Sequence, residues 1–156
     1  NSKELFCMEH KQRSMAVVSV YLILEQHNRV LLSLRKNTRF FDGMYGLVSG
    51  HVEEGETIIQ GMIRETEEEA GIILNPSTLS LVHVMHRNQG RLNVDFFFTC
   101  TAFSGTITNK EPEKCEELNF FPLDALPTNT IVYIQQALNA FRTKKLYSEY
   151  GWEHSK

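Results

Sequence analysis

Residues 50–72 read GHVEEGETIIQGMIRETEEEAGI, and this stretch decides how the rest of the chain is read. Within it, Arg64-Glu65-Thr66-Glu67-Glu68-Glu69-Ala70-Gly71 crowds carboxylates between a glycine-rich approach and a glycine stop. Residues three and four apart are neighbours on a helix, so Glu65, Glu68 and Glu69 are expected to form one cluster. Like charges that close repel unless something positive sits among them. Hard divalent cations, Mg²⁺ above all, take oxygen ligands and serve phosphate chemistry.

Projection at roughly 100° per residue separates the two faces of this helix. With Glu65 at zero, Ile58, Ile59, Met62, Ile63, Thr66 and Ala70 fall on one apolar arc, and Glu69 overlaps it. Glu67 points elsewhere and reads as solvated. A glutamate run is commonly no more than a wet helix surface. Two features oppose that here: no Lys stands at i+4 to balance the run, and carboxylates beside a core are costly unless paired or metal-bound.

Written as G-x5-E-x7-R-E-U-x-E-E-x-G-U, with U a bulky apolar residue, the stretch supplies Gly50, Glu56, Arg64, Glu65, Glu68, Glu69, Gly71 and Ile72. It resembles the signature box of the Nudix hydrolases, which cleave nucleoside diphosphates linked to another moiety. Thr66 stands where an aliphatic residue is usual, and Val48-Ser49-Gly50 where Pro-Gly-Gly is commoner. The resemblance implies an α/β/α sandwich, an α/β (α+β) fold with a mixed sheet between helices.

It also implies roles. Glu65, Glu68 and Glu69 would coordinate Mg²⁺, with Mn²⁺ able to replace it, and a carbonyl at Ser49 or Gly50 could add a ligand. Arg64 would orient the glutamates through hydrogen bonds, and Glu56 would brace Arg64 and the glycine turn. A further acid outside the box often completes such sites. Glu111, Glu113, Glu116 and Glu117 are the candidates, with Glu113 or Glu116 favoured.

Working outward, residues 16–25 and 30–35 read as strands joined by a hairpin at 26–29. Residues 37–43 read as a loop, 45–48 as a short strand, and 50–55 as a turn with two glycines free to take positive φ. Glu56 and Thr57 open the helix, Thr57 as its cap, and Gly71 closes it. Residues 79–86 and 92–101 form a second hairpin, whose run Val94-Asp95-Phe96-Phe97-Phe98 suits a central strand. A strand at 118–121 follows, then a turn-rich link. Ile131, Ile134, Leu138 and Phe141 mark an amphipathic helix over 130–144.

Arg35 and Lys36, at the end of the second strand, could hold phosphate oxygens. Phe40, Phe41 and Tyr45 could stack on a base, and His83, His86 and Arg87 could approach the nucleotide. Tyr150 and Trp152 would either cover the site or pack the terminus.

The 156 residues suit one domain, 1–156, with 1–14 peripheral. Net charge of -3 offers no basic field for duplex nucleic acid, so no stable nucleic-acid partner is expected. No apolar run is long enough for a membrane span. Cys7, Cys100 and Cys115 lack metal-site spacing and read as free thiols of a cytoplasmic protein. The leading expectation is a MutT-like enzyme converting a nucleoside triphosphate, possibly oxidised nucleotides included, to monophosphate and pyrophosphate, acting as monomer or homodimer. Hydrolysis of ADP-ribose or a nucleotide sugar is the alternative. A non-catalytic nucleotide-binding module is the reading of another class.

Overall fold

The structure, a computed structural model, describes residues 11–153. In chain order the elements are β1 (Val17–Leu22), β2 (Glu25–Gln26), β3 (Arg29–Arg35), β4 (Tyr45–Gly46), β5 (Val48–His51), α1 (Ile58–Ala70) and β6 (Ile73–Leu74). After them come β7 (Leu79–Asn88), β8 (Leu92–Cys100), β9 (Phe103–Ser104), β10 (Cys115–Pro122), α2 (Val132–Arg142) and β11 (Tyr147–Tyr150). A five-stranded sheet runs β11-β7-β8-β1-β5, with β1 parallel to β8, β11 parallel to β7, and antiparallel pairs elsewhere. β8 is its central strand, as its phenylalanine run suggested. A second, antiparallel sheet holds β10-β3-β2 with β4 on β3.

The period-two alternation of β1 builds two cores at once. Val20, Leu22 and Leu24 enter one cluster with Met62, Ala70 and Ile72, on the α1 side. Tyr21 and Ile23 enter the other with Phe97, Ile134 and Leu138, on the α2 side. The result is the expected α/β/α sandwich around a mixed sheet.

Three expected strands divide differently. The run 16–25 leaves the large sheet after Leu22 and re-enters the small one as β2, so Ile23 and Leu24 cross between sheets while fully buried. His27 and Asn28, both at positive φ, close the β2–β3 hairpin, the tight turn such residues favour. Residues 45–48 likewise divide: Tyr45–Gly46 pairs with β3, and Val48 starts β5 on β1. β10 begins at Cys115, earlier than expected, because a bulge between Cys115 and Glu117 keeps the acidic segment in register with β3. Short β6, β9 and β11 carried too few alternating residues to be read.

Candidate active site

α1 starts where local chemistry dictates. Thr57 Oγ1 accepts the Gln60 amide while the Gln60 side chain accepts the Thr57 amide, a reciprocal capping box. Gly71 ends the helix at φ 69, in the left-handed region. Met62, Thr66 and Ala70 are buried, and Thr66 Oγ1 donates to the Met62 carbonyl, which lets a hydroxyl occupy an apolar position. Ile59, expected on the apolar arc, is 44% exposed, whereas Ile58 beside it packs against the core.

Arg64 ties the box together. Its Nε and Nη2 donate to the two Glu56 carboxylate oxygens at 2.7 and 2.9 Å, and Nη2 also reaches the His51 carbonyl at 3.0 Å. Nη1 donates to Glu65 at 2.8 Å and Glu68 at 3.3 Å. The bidentate guanidinium contact, with the Glu53 amide helping, holds the Glu56 carboxyl at about 2. Gly50 is not the positive-φ turn residue expected; it pairs with Val20 inside β5. Its role is steric: a Cβ there would lie 2.0 Å from Glu65 Cδ.

The three glutamates differ. Glu68 is half exposed, Glu65 is mostly covered, and Glu69 turns inward to accept the Ser49 amide at 2.9 Å. Burial drives Glu69 up; the Ser49 N–H opposes it, but the charges of Glu65 and Glu111 add to it, and the carboxyl stands at about 8. Burial, partly offset by Arg64, also raises Glu65. Ser49 therefore meets the cluster through its amide as a donor.

These groups open on a cleft of about 880 Å³ between the two sheets. Arg35 lines it, its Nε fixed by the Phe40 carbonyl at 2.9 Å, with Arg39 and Lys114 on the same side. Phe41 also lines it, edge-on to Tyr133 at 5.9 Å.

Several expected residues lie elsewhere. Lys36 is not in the cleft wall; its amide donates to the Lys114 carbonyl. Tyr45 is core, stacked edge-on to Phe121, and its hydroxyl donates to Glu117 at 2.6 Å, a bond that pushes the phenol up to about 12. His86 packs against Trp152, whose Nε1 donates to the His86 carbonyl, so both seal the terminus rather than the cleft. β-strand alternation explains this: His86 and Arg87 face opposite ways, and Arg87 is the one that lines the cleft. His83 is structural, bonded to the Lys145 carbonyl and Ser148 Oγ. Glu113 and Glu116 are exposed outside the wall; Glu111, also a candidate, is the acid that lines it.

The far wall was the least expected part. Arg87 donates to Asp95 at 2.6 and 3.2 Å, to Tyr21 at 3.2 Å and to Gln89 at 2.8 Å, with its guanidinium 4.1 Å from the Tyr133 ring centre. Asn93 donates to Ser19 and accepts from Arg91. The signal available in the sequence was Ser19 and Tyr21, then Asn93 and Asp95, polar residues at period two in apolar strands.

Among the described residues, no three acidic, histidine or cysteine side chains draw together tightly enough to grip an ion. Arg64 Nη1 lies between Glu65 and Glu68 instead. The donor set nevertheless fits a hard divalent cation. Glu69 is a partly buried carboxyl that no cationic side chain among the described residues bonds, and Glu65 stands beside it with more oxygen.

The NUDIX domain model matches residues 13–142. The chain is 34% identical over 111 residues to an ADP-ribose pyrophosphatase of Methanocaldococcus jannaschii, covering 70% of this chain and 64% of that protein. It is 29% identical over 119 residues to the 8-oxo-dGDP phosphatase NUDT18 of Mus musculus, covering 75% of this chain and 35% of that one. It thus spans less than two thirds of the length of either relative. A MutT NUDIX hydrolase crystal structure from Burkholderia pseudomallei superposes with TM-score 0.74 at 30% identity, covering 81% of this chain and 98% of that one. With the box, the sandwich and these matches in agreement, the chain belongs to the Nudix family.

Proposed function

We propose that this cleft hydrolyses a phosphoanhydride bond of a nucleoside diphosphate derivative, using a divalent cation held by Glu65, Glu68 and Glu69. One observation carries the reading: Glu69 is partly buried and bonded to no cationic side chain among the described residues, in a cleft that Arg35, Arg39 and Lys114 also line. A partly buried carboxyl that burial keeps protonated, beside three basic side chains, suits an anionic ligand that brings a metal to replace that proton. Mg²⁺ is the proposed ion, with Mn²⁺ able to replace it. Bound there, such an ion supplies an acidified water and neutralises phosphate oxygens.

The chain's own side chains do the rest. Glu56 fixes Arg64, and Arg64 sets the directions of Glu65 and Glu68. Ser49 aims Glu69. Arg35, Arg39 and Lys114 would hold the phosphate chain, and Phe41 would flank the base. Glu111 takes the place proposed for the extra acid, since it lines the cleft.

The preferred substrate is a nucleoside triphosphate, cleaved to monophosphate and pyrophosphate, with oxidised nucleotides included. An 8-oxo-dGTP diphosphatase of Proteus vulgaris, matched over 83% of its own length at 30% identity, supports that choice. ADP-ribose is the second reading, favoured by the archaeal relative. A non-catalytic module is disfavoured because every glutamate of the box is present. The test is a panel of nucleoside triphosphates, diphosphates and ADP-ribose with Mg²⁺ or chelator, products separated by chromatography. Metal-dependent release of a nucleoside monophosphate is expected. Nucleotide binding with no turnover of any panel member would overturn the hydrolase in favour of the regulatory module.

A further inference from the structure

The wall formed by Arg87, Gln89 and Arg91 has used up its own acceptors. Arginine has no acceptor, so the atom facing Arg87 Nη1 at 2.8 Å must be Gln89 Oε1, which leaves the Gln89 amide nitrogen to donate outward. By the same logic Asn93 turns its oxygen to Arg91 Nε and spends its nitrogen on Ser19. Asp95 is engaged by two Arg87 nitrogens. Of the five Arg87 N–H bonds, Asp95, Tyr21 and Gln89 take four, and one Nη1 hydrogen has no partner among the described residues. Arg87, Gln89 and Arg91 all line the cleft, and Arg87 is only 7% exposed.

The wall is also rigid and correctly placed for a base. Asp95 below and the Tyr133 ring beside it fix the guanidinium plane. Tyr150, paired in register with Arg87, leans on Tyr133 at 6.0 Å and backs the arrangement. In the order β5-β1-β8-β7, Ser49 lies level with His83, so Arg87 is three strand spacings across and four residues along, roughly 19 Å between backbones and less once both side chains reach into the cleft. A ribose and a base bridge that reach when the phosphates lie at Glu69. Phe40 and Phe41 line the same cleft with aromatic surface for the ring.

From this we infer that Arg87, assisted by Gln89, is a specificity-determining residue that reads the hydrogen-bond edge of the substrate base and selects 6-oxopurine over 6-aminopurine nucleotides. The inference rests on the nucleotide reading of the cleft. A 6-oxo group with the adjacent ring nitrogen N7 offers two acceptors to the wall, the pairing guanidinium groups make with such bases. A 6-amino group sets donor against donor and leaves the buried Arg87 N–H unpaired. ADP-ribose, an adenine nucleotide, would then bind poorly.

Inosine and adenosine nucleotides differ at this edge, so they are the probes. Equilibrium titration of IMP and AMP with Mg²⁺ present avoids any dependence on turnover. Parent protein should bind IMP about tenfold tighter than AMP, within the range of one good base contact. Gln89 is exposed, so Gln89→Glu will fold, and it replaces the donor with an acceptor. Its preference should drop below about threefold. Arg87→Lys keeps a charge beside Asp95 but loses the planar fork, and should lose the preference too. Thermal melts verify folding, and if Arg87→Lys fails that check, Gln89→Glu decides alone. Equal affinities in the parent, no binding of either nucleotide, or an unchanged preference in Gln89→Glu would overturn the inference. Pyrophosphate release from ITP and ATP is followed separately: hydrolysis of both at equal rates sinks the base reading and leaves the hydrolase standing.

Discussion

Two polar clusters face each other across one cleft, and they are built in opposite ways. The α1 cluster of Glu56, Arg64, Glu65, Glu68 and Glu69 is local, contained in fourteen consecutive residues of one helix and its approach. It leaves the partly buried Glu69 without a bonded cationic side chain among the described residues. The far cluster of Tyr21, Arg87, Asp95 and Tyr133 comes from β1, β7, β8 and α2; its charges are paired internally and backed by one cation–π contact, with one Arg87 Nη1 hydrogen left over among the described residues. The first is arranged to receive a charge from outside. The second carries its own. On the proposed reading, the α1 cluster carries the chemistry and the far cluster presents the substrate to it.

The largest expected effect breaks the first cluster. Glu69→Gln keeps shape and removes the charge, so turnover should fall by about 10² or more while the fold survives. Glu68→Gln should act in the same direction. Steady-state kinetics at saturating Mg²⁺ measure both, and near-parental turnover in both would show that the cluster is not catalytic.

The second cluster should break as structure. Asp95 is fully buried, and Asp95→Ala strands the Arg87 guanidinium. Removing one partner of a buried pair costs about 3–5 kcal/mol. Urea unfolding should show it, and a loss under about 1 kcal/mol would mean that water already reaches Arg87.

Gly50→Ala sharpens the comparison. The three atoms nearest the added Cβ all belong to the Glu65 side chain, which can swing aside, so stability should change little. Displacing that carboxylate should weaken Mg²⁺ binding several-fold. Arg64→Ala should likewise weaken metal binding, and unchanged metal affinity with collapsed substrate affinity would contradict its positioning role.

The smallest effect is the pH dependence without metal. A carboxyl held at about 8 in the fold and near 4.5 when unfolded keeps its proton more firmly in the folded state. Its contribution is full below about 4.5 and is lost as pH rises through about 8. Melting temperature in chelator should therefore decline over that window, and Glu69→Gln should flatten the decline.

The same contrast explains what could be read from sequence. The helix, its Thr57 cap, its Gly71 stop and the glutamate spacing depend on neighbours within one or two turns, so residue order displays them. The β2–β3 and β7–β8 hairpins and the amphipathic α2 were visible for the same reason. Which side of a strand faces the cleft depends on register, and a one-residue error exchanges His86 for Arg87. Tyr45 carries the right chemistry for stacking, yet the division of residues 45–48 between two sheets buries it. Glu111 and Glu113 are two residues apart in an irregular segment, where no periodicity tells which one turns inward. The Arg87–Asp95 pair joins two strands of a hairpin, but its partners Tyr21 and Tyr133 lie 66 residues before and 46 residues after Arg87.

The central claim is that Glu69 is a partly buried carboxyl that takes a divalent cation. Its most direct test is Mg²⁺ titration followed by thermal melting at pH 7 and pH 9, on the parent and on Glu69→Gln. Ligands that bind only the folded state raise its stability, by about 2.7 kcal/mol at a hundredfold excess over the dissociation constant. The parent should gain more at pH 9 than at pH 7, since Mg²⁺ competes with the Glu69 proton at the lower pH, and Glu69→Gln should gain little at either. Identical Mg²⁺ responses in the two proteins would contradict the account and place the ion, if one binds, away from Glu69.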